Sequence, residues 1–319
     1  MPDVLVVGDA NVDMVVEFPV FLNKERTRVK YPRPVISGGG TAANTAVALA
    51  KLGVNTGFLG TVGDDQYGNF IARTLKDNGV DTSGLHVDPE TCTVCVFAFV
   101  DERGERYLWG WPREHQSFKK LDLTESDVSQ IESSKWIHAS GMSMSFPSPM
   151  RTTMQEIFDI ANRCEVTTSF DMNSRCDDRD LDRGFRESLF GVIGKTNFLL
   201  GSGPEEFSTL GGGSWQENAR EMSAENRIVI PRDGGNGAYA YSSNGVCNAP
   251  AFNVPVVDTI GAGDVFNAGF IFSYLQNGDL DRALLVANAV SAISLMHKGS
   301  QASPNREELN DFLKQHKYR

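Results

Sequence analysis

What most restricts the fold of this chain is an alternation of short apolar runs with helical stretches that stop at glycine. Val4 to Val7 reads as a buried strand leading into Gly8-Asp9-Ala10-Asn11-Val12-Asp13. From Thr41 the pattern turns helical, with Ala42, Ala46, Leu49 and Leu52 in register and a stop at Gly53; Thr56-Gly57-Phe58-Leu59-Gly60 is a second strand, and Phe70 to Asn78 a helix closed by Gly79. Strands joined through helices run parallel, so the predicted class is α/β: a doubly wound, mostly parallel sheet with helices on both faces. The alternation resumes with strands at 136–140, 166–171, 198–200, 227–230 and 238–241, a helix at 150–163, and two C-terminal helices from Leu280 to Met296 and Asn305 to Gln315. No repeat or low-complexity linker interrupts it, which predicts one domain over 1–319.

One stretch departs from the pattern. Val94 to Val100, a turn at Asp101-Glu102-Arg103-Gly104, then Arg106-Tyr107-Leu108-Trp109 is a hairpin, and hairpins are antiparallel. Together with the extended, partly charged segment after Asp13, it predicts a small β-lid formed by about 13–37 and 91–112.

Composition narrows the possible partners. With 30 Lys and Arg against 41 Asp and Glu, the formal charge of −11 argues against a nucleic-acid or anionic-membrane surface, so any phosphate must be handled at a local site. No apolar run reaches the roughly 20 residues of a membrane span. The start Met1-Pro2-Asp3-Val4 carries no basic region typical of a signal peptide, and five scattered cysteines fit a reducing compartment, so a cytoplasmic location is expected. Cys92 and Cys95 form a CxxC on strand-like sequence without a second pair, and the five histidines have no ligand spacing; buried thiols are the favoured reading, and no metal set of this kind is expected.

The strongest local signal is Asp258-Thr259-Ile260-Gly261-Ala262-Gly263-Asp264. It follows the extended run 252–257 and opens a helical pattern (Val265, Phe266, Gly269, Phe270, Phe272, Leu275) that stops at Gly278. Small residues let backbone N–H groups converge at a helix N-terminus, which suits an anion. Asp264 then puts a carboxylate beside a site that attracts negative charge. It is either a helix cap, or a base that takes a hydroxyl proton while the turn holds a phosphoryl group; local chemistry leaves both open.

Other candidates are weaker. Asn11 and Asp13 follow the first strand, where open α/β sheets bind ligands, yet ordinary loop chemistry accounts for them equally well. Gly38-Gly39-Gly40 with Asn44 is either a close-approach loop or a flexible turn. Asp171-Met172-Asn173-Ser174-Arg175 ends a strand with alternating polar groups, and Arg113 is either a substrate ligand or a surface arginine stacked on Trp109 or Trp111.

Taken together, these stretches resemble the ribokinase-like (PfkB) carbohydrate kinases from Val4 to about Leu313. Residues 258–264 are similar to the family's DTxGAGD signature; Gly38 to Asn44, then Leu52-Gly53 and Val62-Gly63-Asp64-Asp65-Gln66-Tyr67-Gly68, resemble its N-terminal signature and following VGxDxxG. Two signatures in order at opposite ends are far more specific than either alone. The resemblance, nearest to fructokinase and 2-keto-3-deoxygluconate kinase types, implies an ATP-dependent sugar kinase with Asp264 as catalytic base and Gly261, Ala262 and Gly263 as anion hole. It implies sugar contacts from Asn11, Asp13, Gly39, Gly40 and Asn44, with Arg113 and Arg175 as arginines aimed at the substrate. Nucleotide contacts fall to Arg232, Gly234, Gly237 and Asn288. Glu206 would serve Mg²⁺ through water, and Asp258, Ile260 and Gly299 match a loop that in relatives can carry a monovalent cation such as K⁺.

Two positions depart from the family: Gly203 stands where NxxE has Asn, and Pro231-Arg232-Asp233 replaces a Thr-Leu-like pair. Two arginines able to grip a carboxylate favour a keto sugar or sugar acid, of fructose or 2-keto-3-deoxygluconate type. The alternatives are a nucleoside or ribose kinase of the same fold, whose base pocket would draw on Trp109, Trp111, Met142, Met144 and Phe146, and a non-catalytic sugar or nucleotide sensor. The resemblance is compatible with a homodimer through the lid, but Trp109 and Trp111 could equally face the sugar, which leaves the oligomeric state open.

Overall fold

The computed structural model describes residues 1–101, 106–174 and 183–318. The strands, in chain order, are β1 (Val4–Val7), β2 (Asn11–Glu17), β3 (Val20–Phe21), β4 (Val29–Lys30), β5 (Val35–Gly39), β6 (Thr56–Gly63), β7 (Asp81–Asp88), β8 (Cys95–Val100), β9 (Arg106–Trp111), β10 (Trp136–Ser140), β11 (Thr167–Asp171), β12 (Phe198–Ser202), β13 (Ile228–Arg232), β14 (Ala238–Ser242) and β15 (Gly245–Ala249). Nine of them make one sheet in the order β15-β14-β13-β12-β11-β10-β1-β6-β7. It is parallel from β7 to β13 and antiparallel only at β13-β14-β15, which is the mostly parallel class expected from the alternation.

From β1 the chain first winds one way, to β6 and β7, and later the other way, through β10 to β13. The reversal lies between β1 and β10, and the carboxyl ends of strands flanking such a switch point form a natural ligand crevice. Two apolar cores flank the sheet. One includes Leu49, Phe270 and Val290, the other Phe158, Phe170 and Leu189, all fully buried. Truncating any one of the phenylalanines would cost about 3–5 kcal/mol.

The helices are α1 (Thr41–Lys51), α2 (Gln66–Asp77), α3 (Glu125–Ser133), α4 (Met150–Arg163), α5 (Arg183–Ile193), α6 (Trp215–Met222), α7 (Ala262–Asn277), α8 (Leu280–Leu295) and α9 (Arg306–Gln315). Helix α7 has apolar residues nearly all round because it is buried, packed against α1 and α8; it runs from Gly261 to Gly278, both left-handed. The structure corrects one expectation here. No strand forms over 252–257; Pro250 and Pro255 remove backbone donors, and the Val257 N–H donates instead to the Leu295 carbonyl at the end of α8. The glycine turn is therefore entered from a loop.

A second sheet, β5-β2-β8-β9, stands off the first. It covers 11–39 and 95–111, close to the expected lid segments; the turn between β8 and β9 lies outside the described residues. Register fixes its two faces. Asp13 lies beside Val96 and Ser37, and Val96 beside Gly110, whereas Met14 lies beside Phe97 and Ile36, and Phe97 beside Trp109. Because side chains alternate, Asn11 and Asp13 share one face and Trp109 and Trp111 the other.

Candidate active site

At the carboxyl ends of β11, β12 and β13 a cavity of about 500 Å³ is walled by the turn at 259–264, the end of β11 and the loop after β12. Gly261 enters α7 with φ 77°, and a Cβ there would lie 2.6 Å from the Ser300 carbonyl oxygen, so glycine is needed for both reasons. Among the described residues, nothing accepts from the N–H groups of Gly261, Gly263 and Asp264, which leaves a helix N-terminus ready for an anion.

Asp264 is the third residue of α7 and 7 % exposed. Its Oδ2 accepts a 2.8 Å hydrogen bond from Asn44 Nδ2, on the first turn of α1; Thr45 Oγ1 donates to its backbone carbonyl at 3.1 Å. Asn44 Oδ1 is buried and has no partner. Burial pushes the Asp264 carboxyl well above the usual carboxylate range; the Asn44 bond opposes this, the charges of Asp171 and Asp9 add to it, and Arg232 offsets part. A base with a raised pKa sits nearer the working pH of proton transfer.

Behind the turn lies a buried ionic cluster. Arg232, at the end of β13, forms a two-pronged pair with Asp171, at the end of β11: Nη2 to Oδ1 and Nη1 to Oδ2, each 3.0 Å. Asn267 of α7 closes the triangle, donating to Asp171 Oδ2 and accepting from Arg232 Nη1, both at 2.6 Å. Burial alone would raise the Asp171 carboxyl, but the charge and hydrogen bonds of Arg232, with the Asn267 bond, hold it below its ordinary value. Glu206 accepts from the backbone N–H groups of Ser174 and Ser202, both at 2.7 Å. Burial first and Asp171 second push its carboxyl up to about 7 against the pull of Arg232. His138, fully buried in β10 with Nδ1 2.8 Å from Ser169 Oγ, is pushed down to about 4 by burial.

On the other side of Asp264 stand the residues expected to meet sugar. Asn11 donates to Asp13 Oδ1 at 2.7 Å, and Ser300 Oγ donates to Asp13 Oδ2 at 3.1 Å. A Cβ on Gly39 would lie 2.3 Å from Asp13 Oδ2, so the glycine is what lets this carboxylate pack over the loop. Asp9 was not singled out from the sequence. Its oxygens accept from Thr41 N–H (2.9 Å) and Thr41 Oγ1 (2.8 Å), so it caps α1 from 32 residues away because Gly40 has no side chain to do so.

Comparison with known proteins places this geometry. The description of pfkB family carbohydrate kinases matches residues 1–307. The chain belongs to that family. An ATP-dependent ribose-1-phosphate kinase of Halopiger xanaduensis is 33 % identical over 279 residues, covering 87 % of this chain and 86 % of that one. A 5-dehydro-2-deoxygluconokinase of Bacillus subtilis is 27 % identical, covering 98 % and 95 %. Among solved structures, a fructokinase from Xylella fastidiosa with bound ATP superimposes with a TM-score of 0.84 at 20 % identity, covering 99 % and 100 %, and a ribokinase II from E. coli in complex with ATP and Mg²⁺ with 0.83 at 23 %, again covering 99 % and 100 %. This pfkB kinase is accordingly a sugar phosphotransferase of ribokinase-like fold.

In the pfkB kinase the remaining candidates are distributed unevenly. Arg113 is exposed beyond the end of β9 and does not line the cavity. Arg175 lies outside the described residues. Gly234 has open space around it, whereas a Cβ on Gly237 would meet the Ala249 carbonyl at 2.1 Å. Asn288 also braces that segment, donating to the carbonyls of Ala249 (2.9 Å) and Pro250 (3.1 Å). Asp258 ties two loops together by accepting from Ile260 N–H and Gly299 N–H, each 3.0 Å. The departure at Gly203 has a steric cause: a Cβ there would press on the Trp215 ring at 3.0 Å.

Proposed function

We propose that this kinase transfers the γ-phosphoryl of ATP to a hydroxyl of a keto sugar or sugar acid, with Asp264 as the base. The observation that carries the reading is the Asn44-Asp264 pair. Asn44 fixes the carboxylate and keeps one buried acceptor oxygen without a donor, which a substrate hydroxyl beside Asp264 would satisfy. In the transfer, the hydroxyl proton goes to Asp264, the sugar oxygen bonds to the γ-phosphorus, and the bond to the bridging oxygen of ADP breaks. The N–H groups of Gly261 and Gly263 face the charge that spreads over the phosphoryl oxygens.

Glu206 fits a water-mediated Mg²⁺ role: it lines the cavity, and while Oε1 accepts from the Ser174 N–H and Oγ, Oε2 has a lone pair left beyond its bond from the Ser202 N–H. Among the described residues no cluster of three His, Cys, Asp or Glu side chains could cage a metal, and a Mg²⁺ that keeps most of its waters would need none. It would supply neutralisation of phosphate charge. A monovalent cation such as K⁺ would sit between the loops that Asp258 joins, on backbone oxygens of 258, 260 and 299; stimulation by KCl over NaCl tests this.

The keto-sugar preference draws support from the Bacillus relative, whose name makes a keto sugar acid its acceptor. The nucleoside reading finds little here: Trp109 and Trp111 lie on the far face of the lid from Asp13, and Met144 is fully buried. That far face carries an aromatic ladder, with ring centroids 6.2 Å apart for Phe97-Phe99, 5.7 Å for Phe97-Trp109 and 5.9 Å for Trp109-Trp111. Tyr107, Trp109 and Trp111 are 54, 44 and 53 % exposed, and we assign this face to a second copy of the chain in a homodimer. The described cysteines are free thiols, in keeping with a cytoplasmic setting.

The test is ADP release over a panel of fructose, 2-keto-3-deoxygluconate, 5-dehydro-2-deoxygluconate, ribose and ribose 1-phosphate. A kcat/KM at least about tenfold higher for a keto acceptor supports the reading, a difference of ~1.4 kcal/mol in transition-state binding. Preference for ribose or its phosphate overturns the acceptor class, and no ADP with any acceptor overturns the reaction for this panel.

A further inference from the structure

We propose that Asp171 is the residue that positions Arg232 against the phosphate turn, with Asn267 locking the pair to the helix that carries Asp264. This rests on the reading of 261–264 as the phosphoryl site. The three side chains come from β11, β13 and α7, at sequence separations of 35 to 96, so only the fold brings them together. Both Asp171 oxygens are spent on the pair and on Asn267, and Asp171 is 2 % exposed. Although Asp171 lines the cavity, it turns both oxygens to Arg232 and Asn267, so its action runs through the arginine.

The arginine, in contrast, is only partly spent. Of the five guanidinium hydrogens, one on Nη2 goes to Asp171 and two on Nη1 serve Asp171, Asn267 and, at 3.4 Å, the Gly263 carbonyl of the turn. The Nε hydrogen and the second Nη2 hydrogen have no acceptor among the described residues, and Arg232 lines the cavity. The guanidinium also lies 3.4–3.5 Å from where a Cβ on residue 263 would be. That separation is ordinary van der Waals contact, so the guanidinium lies directly against the turn at Gly263. A cation is thus pinned, fork first, with two donors left over, at the shoulder of an anion-binding turn.

A buried pair of this kind is poor evidence for stability, because taking two charges out of water costs about what their attraction returns. Its value lies in fixing the guanidinium plane, and asymmetric substitution separates the two roles. In a double-mutant cycle, Asp171→Asn should raise KM for ATP and lower kcat, together about 100-fold in kcat/KM, and Arg232→Gln should do at least as much. The double variant should be no more than about threefold worse than Arg232→Gln alone, because Asp171 has nothing else to position. Arg232→Lys, which keeps the charge and loses the fork, should fail to restore kcat/KM. Should Asp171→Asn not fold, Asp171→Leu with Arg232→Met replaces the pair by apolar side chains; regained thermal stability without regained activity supports positioning. Independent, multiplying losses in the cycle would overturn the proposal, as would Asp171→Asn enzyme with normal kinetics and only a lowered Tm. Asp264→Asn assayed alongside keeps the two claims apart: turnover surviving that change sinks the base assignment, whereas the cycle speaks only to Asp171.

Discussion

The two sides of Asp264 are built differently. On the side proposed for the nucleotide, bonds of 2.6 to 3.0 Å tie Asp171, Arg232 and Asn267 together, and the Ser174 and Ser202 N–H groups hold Glu206 at 2.7 Å, all set before any ligand arrives. On the side proposed for the sugar, Asn44 keeps an orphaned oxygen and the exposed Arg113 does not line the cavity, while the far face of the lid exposes a row of aromatic rings. The contrast teaches where preorganisation resides. Charge stabilisation for a transferring phosphoryl must not reorganise during the reaction and is therefore preformed, whereas acceptor recognition is left to groups that the acceptor itself completes.

The largest effect expected on that comparison is at the boundary. Asp264→Asn should lower kcat by about 10²–10⁴-fold while sugar and nucleotide still bind, measured by ADP release and calorimetry. The same change should stabilise the fold. A raised carboxyl favours the folded state while protonated and works against it as pH rises through the raised value, so the gain in Tm should be larger at pH 8 than at pH 5. Next is the preformed side. Gly261→Ala forces a Cβ into a left-handed position against Ser300, costing about 1–3 kcal/mol and, by tilting the N–H donors, about 10²-fold in kcat.

The open side should respond more mildly. Trp109→Glu with Trp111→Glu should convert dimer to monomer in sedimentation velocity while leaving kcat per chain within about threefold; a monomeric parent protein would break that half of the comparison. Smallest is His138. Held neutral down to about 4 while an unfolded histidine titrates near 6.5, it should drain stability as pH falls through that window. His138→Gln should flatten the slope of denaturation midpoints between pH 7 and 4.

Much of this was legible in the sequence. Apolar runs punctuated by glycine placed helix α4 at 150–163 and strand β10 at 136–140 as observed, because helix and strand periods are local properties. The run at 252–257 was misleading, since β-prone residues next to prolines cannot join a ladder. The signature at 258–264 marked the turn. Its supports were largely hidden: Asp9 and Asn267 look like ordinary loop and helix polar residues, and Asp171 stood out only as part of a polar strand end, until the fold sets them beside Thr41 and Arg232. Likewise, i,i+2 spacing tells that Trp109 and Trp111 share a face, yet only pairing with β8 tells which face.

The most direct test of a base lodged beside an anion cradle is the pH dependence of kcat/KM. With the Asp264 carboxyl pushed up by burial, activity should be lost on the acid side with a midpoint well above the ordinary carboxylate value of about 4, and the residual turnover of Asp264→Asn should lack that limb. An acid limb at or below about 4, or one that persists unchanged in Asp264→Asn, would contradict the assignment.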